Sequence, residues 1–192
     1  MRTYDNALPW PEEEYRTAID AKAALLFAPT DLAAANLTSE RLSGTIHVTG
    51  NTGIDALLEV ERNLPSPKVH DSGTPKILVT CHRRESWGQG LQAIATALAE
   101  LARDRMAKID VILHPNPRVS RTMRALLGQV PGISLIDACN HFELVERMRD
   151  SDLILSDSGG IQEEAPALGI PLLVLRENPN GPRGSSLAIC DS

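Results

Sequence analysis

Aromatic residues are scarce in this chain: two Phe, two Trp and two Tyr in 192 residues. Proteins that hold single strands of nucleic acid stack successive bases on aromatic rings, and so thin a supply argues against that class. Positive charge is also in short supply. Nineteen Lys and Arg stand against 25 Asp and Glu, a net charge of −6, and no Lys/Arg-dense stripe marks a nucleic-acid footprint. The deficit is concentrated early: residues 1–75 hold 6 basic and 11 acidic side chains, residues 76–192 hold 13 and 14. Apolar runs such as Leu153–Leu155 and Leu172–Leu175 fall far below the length of a bilayer span. Met1-Arg2-Thr3-Tyr4-Asp5 carries no apolar signal core. Three cysteines, Cys81, Cys139 and Cys190, are scattered without CxxC spacing. That pattern supplies neither a disulfide framework nor a zinc site and reads as a reduced, cytoplasmic chain. No metal and no cofactor are expected, nor a nucleic-acid or membrane partner.

What is present is a core. Hydrophobic residues make up 42% of the chain, enough for a globular interior. From Lys76 onward, short apolar runs alternate with stretches of helical spacing. Strands are expected at 76–80, 109–113, 133–136, 153–155 and 172–175, with helices at 90–103, 119–127, 142–148 and 161–168. Continuous rather than alternating apolar runs mean strands covered on both faces. Alternation with helices then gives an α/β fold with a doubly wound, parallel, Rossmann-like sheet.

Residues 1–62 read differently. Pro9-Trp10-Pro11 blocks helix, Glu12–Ala24 reads as a helix with acids in its first turn, and Ala24–Ala28 as a short strand. Thr30 is a plausible N-cap for Asp31–Leu37, followed by a strand at Thr45–Val48 and a helix at Asp55–Arg62. This is at most the end of a second α/β unit. The stretch 63–75, with Pro65, Pro67, Gly73 and Pro75, reads as a linker. The expected domains are therefore 1–62, a linker 63–75, the doubly wound domain 76–176 and a tail 177–192.

Ligands of open α/β sheets bind beyond the carboxyl ends of the strands, and three segments fall there. Cys81-His82-Arg83-Arg84-Glu85-Ser86 offers an imidazole and two guanidinium forks suited to a phosphate-bearing anion; a solvated charged loop is the plainer reading. His114-Pro115-Asn116-Pro117 reads equally as a stiff structural turn or as a functional His114. Ser156-Asp157-Ser158-Gly159-Gly160 leads from a strand into a helix whose free amides and positive dipole end suit an anion. It is neither a P-loop nor a GxGxxG fingerprint. Glu164, four residues after Gly160, could accept both hydroxyls of a ribose whose phosphates rest on the glycine turn. Among Glu12, Glu13 and Glu14, at most one is expected to be buried and functional.

Taken together and in order, these segments resemble a known family. Pro9-Trp10-Pro11-Glu12-Glu13, Phe27-Ala28-Pro29-Thr30, Thr49-Gly50-Asn51-Thr52 with Asp55-Ala56-Leu57, and His82-Arg83-Arg84-Glu85-Ser86 form the first part. His114-Pro115-Asn116-Pro117 and Asp157-Ser158-Gly159-Gly160-Ile161-Gln162-Glu163-Glu164-Ala165-Pro166 complete it. The series resembles the non-hydrolysing bacterial UDP-N-acetylglucosamine 2-epimerases over nearly all of residues 1–176. The resemblance implies a GT-B-like pair of Rossmann-like domains and an isomerase that serves cell-envelope polysaccharide synthesis. Such an enzyme interconverts UDP-GlcNAc and UDP-ManNAc without a cofactor, by eliminating UDP and adding it back. It implies Glu12 and His82 as catalytic residues, with His82 also on the diphosphate. Ser158, Gly159 and Gly160 would form the diphosphate turn, Glu164 would hold the ribose, and the uracil would lie near Cys139 and Leu144.

The likeness has limits. Met1-Arg2-Thr3 aligns just after the family's His-Val-Glu-Ala-Gly-Leu-Arg segment, Cys81 stands where glycine is usual, Leu144 where an aromatic is usual, and 177–192 diverge. The expectation is a chain shortened at its N-terminus and a weak or inactive epimerase by itself. A non-catalytic nucleotide-binding remnant and a hydrolysing epimerase remain as alternatives. A homodimer, or complementation by a separately encoded N-terminal half, is left open as the partner.

Overall fold

Two compact units, Met1–Ala56 and Leu57–Ser192, divide the chain, and a computed structural model describes residues 10–66, 73–81 and 88–175. The first unit holds α1 (Glu12–Asp20), β1 (Leu25–Ala28), α2 (Asp31–Ser39), β2 (Thr45–Val48) and the start of α3 (Thr52–Arg62). Among the described residues its sheet has two strands, paired in parallel from Leu25↔Thr45 to Ala28↔Val48. Helix α1 stops at Asp20, short of the Ala24 that helical spacing suggests, because the Thr45 amide binds the Ala24 carbonyl at 2.9 Å and draws the chain into β1. Pairing across the sheet overrides local propensity there. Thr30 caps α2 as expected, its hydroxyl accepting the Ala33 amide at 3.1 Å.

The second unit is the doubly wound sheet. Its strands are β3 (Lys76–Thr80), β4 (Lys108–Ile112), β5 (Ile133–Ile136), β6 (Leu153–Ser156) and β7 (Leu172–Val174). All pair in parallel in the order β5-β4-β3-β6-β7. Helices α4 (Gln89–Arg103), α5 (Pro117–Leu127), α6 (His141–Arg149) and α7 (Gly159–Ala167) connect them. Strand alternation sorts the core into two layers. Ile77, Val79, Ile109, Val111 and Leu155 pack with Leu91 and Leu98 of α4 and Met123 and Leu127 of α5. On the other face, Leu78, Ile112, Ile154 and Leu172 pack with Met148 of α6 and Ile161 and Ala165 of α7.

This order sets the site. The chain leaves β3 toward β4 on one side and returns at β6 on the other, so strand order reverses between β3 and β6. Ligands of such sheets sit in the crevice at that reversal, beyond the carboxyl ends. Thr80 ends β3 opposite Ser156, which ends β6. Cys81 and Asp157 therefore leave the sheet side by side.

Candidate functional site

Polar residues close both strands. Thr80 and Ser156 are fully buried, and their hydroxyl oxygens lie 2.7 Å apart. Ser156 Oγ also accepts the amide of Ser158 at 3.0 Å. One buried hydroxyl pair thus fixes where the chain turns out of β6. The spacing of apolar residues places the start of α7 at Ile161, but the helix begins at Gly159, with Ser158 as its N-cap. Both glycines are inside the first turn, where an α-helix leaves its leading amides without intrahelical acceptors. The side chains of Thr30, Asn116 and Asn140 accept such amides in α2, α5 and α6, whereas that of Ser158 accepts none.

Gly160 is not required by its own surroundings. A Cβ there would lie 3.8 Å from Glu164 Oε1 and 4.0 Å from Ser158 Oγ, ordinary contact distances, and its φ is not positive. A side chain at Gly160 would enter the space between Ser158 Oγ and Glu164 Oε1. Glu164 lies one turn further on, its side chain 22% exposed. Among the described residues its carboxylate receives no hydrogen bond, and the nearest ionisable partner is His141, with Nε2 3.9 Å from Oε1. An ionised carboxylate has about four acceptor positions, and burying one without donors is costly. This arrangement favours a ligand that brings hydroxyls.

Cys139 and Leu144 pack against the same core layer as Ile161 and Ala165 of α7. Burial, above all, raises the Cys139 thiol above its ordinary range. The structure thus gathers Cys139, Leu144, Ser158, Gly159, Gly160 and Glu164 on the α6–α7 side of the sheet. Cys81 turns away from this side: it joins the layer under α4 and α5. Burial, with the Asp157 carboxylate adding to it, pushes its thiol up to about 12. Its side chain therefore fills core volume. His114 closes its own turn, Nδ1 accepting the Asn116 amide at 2.9 Å, and Asn116 then caps α5 with Pro117 as its first residue.

Of the two residues assigned catalysis, Glu12 lies in the first unit as the exposed opening residue of α1. Its neighbour Glu13 is the buried acid of the trio, at 1% exposure, with Arg16 3.3 Å from its carboxylate. His82, with the rest of 82–87, lies outside the described residues, as do 177–192. A cavity of about 440 Å³ opens at the opposite, amino-terminal end of the sheet, between Lys76, Lys108, Asp110 and Ser134. Its Lys76 is already paired with Asp110 at 3.3 Å, and it shares no residue with the glycine turn. No described helix is long and apolar enough to cross a membrane.

Sequence reading missed the Thr80–Ser156 pair, the buried Asp157 and His141. A hydroxyl closing each of two otherwise apolar strands was the available signal for the first; nothing local pointed to His141.

Known proteins share this arrangement. The family model described as UDP-N-acetylglucosamine 2-epimerase matches residues 1–188. The Salmonella typhimurium UDP-N-acetylglucosamine 2-epimerase is 43% identical over 195 residues, covering 95% of this chain and 52% of the relative. The Escherichia coli K12 enzyme of the same name is 41% identical with the same coverage. Among solved structures, the Neisseria meningitidis UDP-GlcNAc 2-epimerase bound to UDP-GlcNAc superposes with a TM-score of 0.80 at 40% identity, over 92% of this chain and 51% of that one. The S. aureus MnaA–UDP co-structure gives 0.82 at 38% identity, over 92% and 49%. The chain spans about half the length of the curated relatives it matches.

Proposed function

We propose, because this chain belongs to the UDP-N-acetylglucosamine 2-epimerase family, that its second unit is the UDP-holding half of an epimerase site. Residues 76–176 form the nucleotide-binding domain of this reading. The diphosphate rests on the amides of Gly159, Gly160 and Ile161, beside the Ser158 hydroxyl. The ribose hydroxyls donate to Glu164, and the uracil lies against Cys139 and Leu144. His82 contacts the departing diphosphate. Glu12 and His82 move protons at the sugar ring: loss of the C2 proton and the C1–O bond releases UDP and leaves 2-acetamidoglucal. UDP then adds back, with the proton returned to the other face of C2. Preorganised amides at the leaving diphosphate stabilise charge where it develops.

One observation carries this reading: a largely buried carboxylate, Glu164, lacks a hydrogen-bond donor among the described residues and stands one turn behind an uncapped glycine pair. A nucleotide-sugar substrate and dispersed cysteines both support a cytoplasmic protein.

Covering the open face of the first unit is expected to raise turnover. Parallel sheets are buried on both faces, yet Leu25 and Phe27 on β1 are 55% and 63% exposed. An α/β partner carrying the relatives' remaining half would cover that face and extend β1–β2; a second copy of the chain is the other candidate. The test is UDP-GlcNAc in deuterated water with the chain alone and with such a partner. The reading expects UDP-ManNAc labelled at C2, at a low rate alone and a higher rate with the partner. Free ManNAc would point to hydrolysis instead, and UDP binding without turnover in either mixture would favour a nucleotide-binding remnant.

A further inference from the structure

The N-terminus of α6 is held rigidly. Asn140 Oδ1 accepts the Glu143 amide at 3.0 Å, and Glu143 Oε2 accepts the Asn140 amide at 3.3 Å, a reciprocal capping box. His141 is the first residue of the helix so fixed. Its half-exposed imidazole points across to α7, where Nε2 stands 3.9 Å from Glu164 Oε1. That oxygen is also the atom a Cβ on Gly160 would meet first. The imidazole and the glycine turn therefore flank the same carboxylate oxygen from two helices. At this separation a small rotation completes an N–H···O bond to Oε1, and completing it sets the plane in which Oε2 is presented.

We propose that His141 is a positioning residue for nucleotide recognition: it orients the Glu164 carboxylate so that the acid distinguishes ribose from 2′-deoxyribose. The proposal rests on the assignment of Glu164 to the ribose. Two acceptor oxygens reach two vicinal hydroxyls only in one orientation, and α7 alone does not impose it. Without the imidazole, the carboxylate rotates freely, and the second hydroxyl loses its partner more often than the first.

The test is calorimetric binding of UDP and 2′-deoxy-UDP to the full chain and three variants. Wild type is expected to prefer UDP by about tenfold, the scale of a hydrogen bond to a charged acceptor. Glu164→Gln should remove most of that preference. His141→Phe should shrink it about threefold while leaving 2′-deoxy-UDP affinity within about twofold. His141→Gln, which keeps an N–H donor, should retain it. A preference unchanged in His141→Phe, or an equal loss for both nucleotides, overturns the role of His141. A wild-type chain that does not bind UDP, or does not discriminate, overturns the assignment of Glu164 itself, as does an unaltered preference in Glu164→Gln.

Discussion

Thr80 and Ser156 meet hydroxyl to hydroxyl at 2.7 Å where the two central strands end, and Ser156 holds the Ser158 amide with the same oxygen. The pair ties the switch point of the sheet to the helix that opens the proposed nucleotide site. Ser156→Ala removes an acceptor from a part-buried amide and a partner from a buried hydroxyl, so it should cost about 1–3 kcal/mol. Thr80→Val should cost a similar amount, and the double variant less than the two together, because no lone hydroxyl remains. Urea unfolding of the four proteins measures this; strictly additive losses would mean the hydroxyls act independently.

Gly160 separates folding from binding. Alanine there meets only ordinary contacts and suits a helical position better than glycine. Gly160→Ala should therefore leave the unfolding midpoint unchanged or raise stability by up to about 1 kcal/mol. Its methyl would enter the space between Ser158 and Glu164 that the proposed nucleotide uses, so UDP affinity should fall at least about tenfold. Circular dichroism and calorimetry on one preparation check both halves.

Cys81 gives a signed pH dependence. Its thiol ionises near an ordinary 9.0 when the chain is unfolded but at about 12 when folded, chiefly through burial. Between those values the native state holds more protons than the unfolded one, so stability falls as pH rises across that window. Below the lower value this group contributes no slope. Denaturant midpoints measured from about pH 8 to 10.5 should decline more steeply in wild type than in Cys81→Ala; parallel declines would show that other groups govern the alkaline loss.

Much of this architecture was legible in the residues. Lys76–Thr80 and Leu153–Ser156 declare buried strands because both faces are covered, and Glu164 follows Gly160 by one helical turn. The start of α7 is not legible in the residues because glycine reads as a turn, although the first helical positions need only free amides. Relations spanning distant parts of the chain were illegible. Thr80 meets Ser156 across 76 positions, and Arg149 reaches the Pro65 carbonyl and Glu61 across more. His141 faces Glu164 only because α6 and α7 pack side by side. Which of three consecutive glutamates is buried depended on the phase of α1, which Pro11 does not set by itself.

The face of β1 carrying Leu25 and Phe27 should govern association. Leu25→Lys with Phe27→Lys is expected to lower concentration-dependent self-association in light scattering and to abolish stimulation by a complementing half. UDP affinity should stay within about twofold, since that site belongs to the other unit. Stimulation that survives both substitutions would remove this face from the account.

Hydrogen exchange with and without UDP tests the account most directly. Saturating UDP should slow exchange of the amides from Ser158 to Ile161, and Glu164→Gln should weaken that protection at equal nucleotide concentration. Protection confined to other segments, such as the Lys76–Lys108 end of the sheet, or none anywhere, would contradict it.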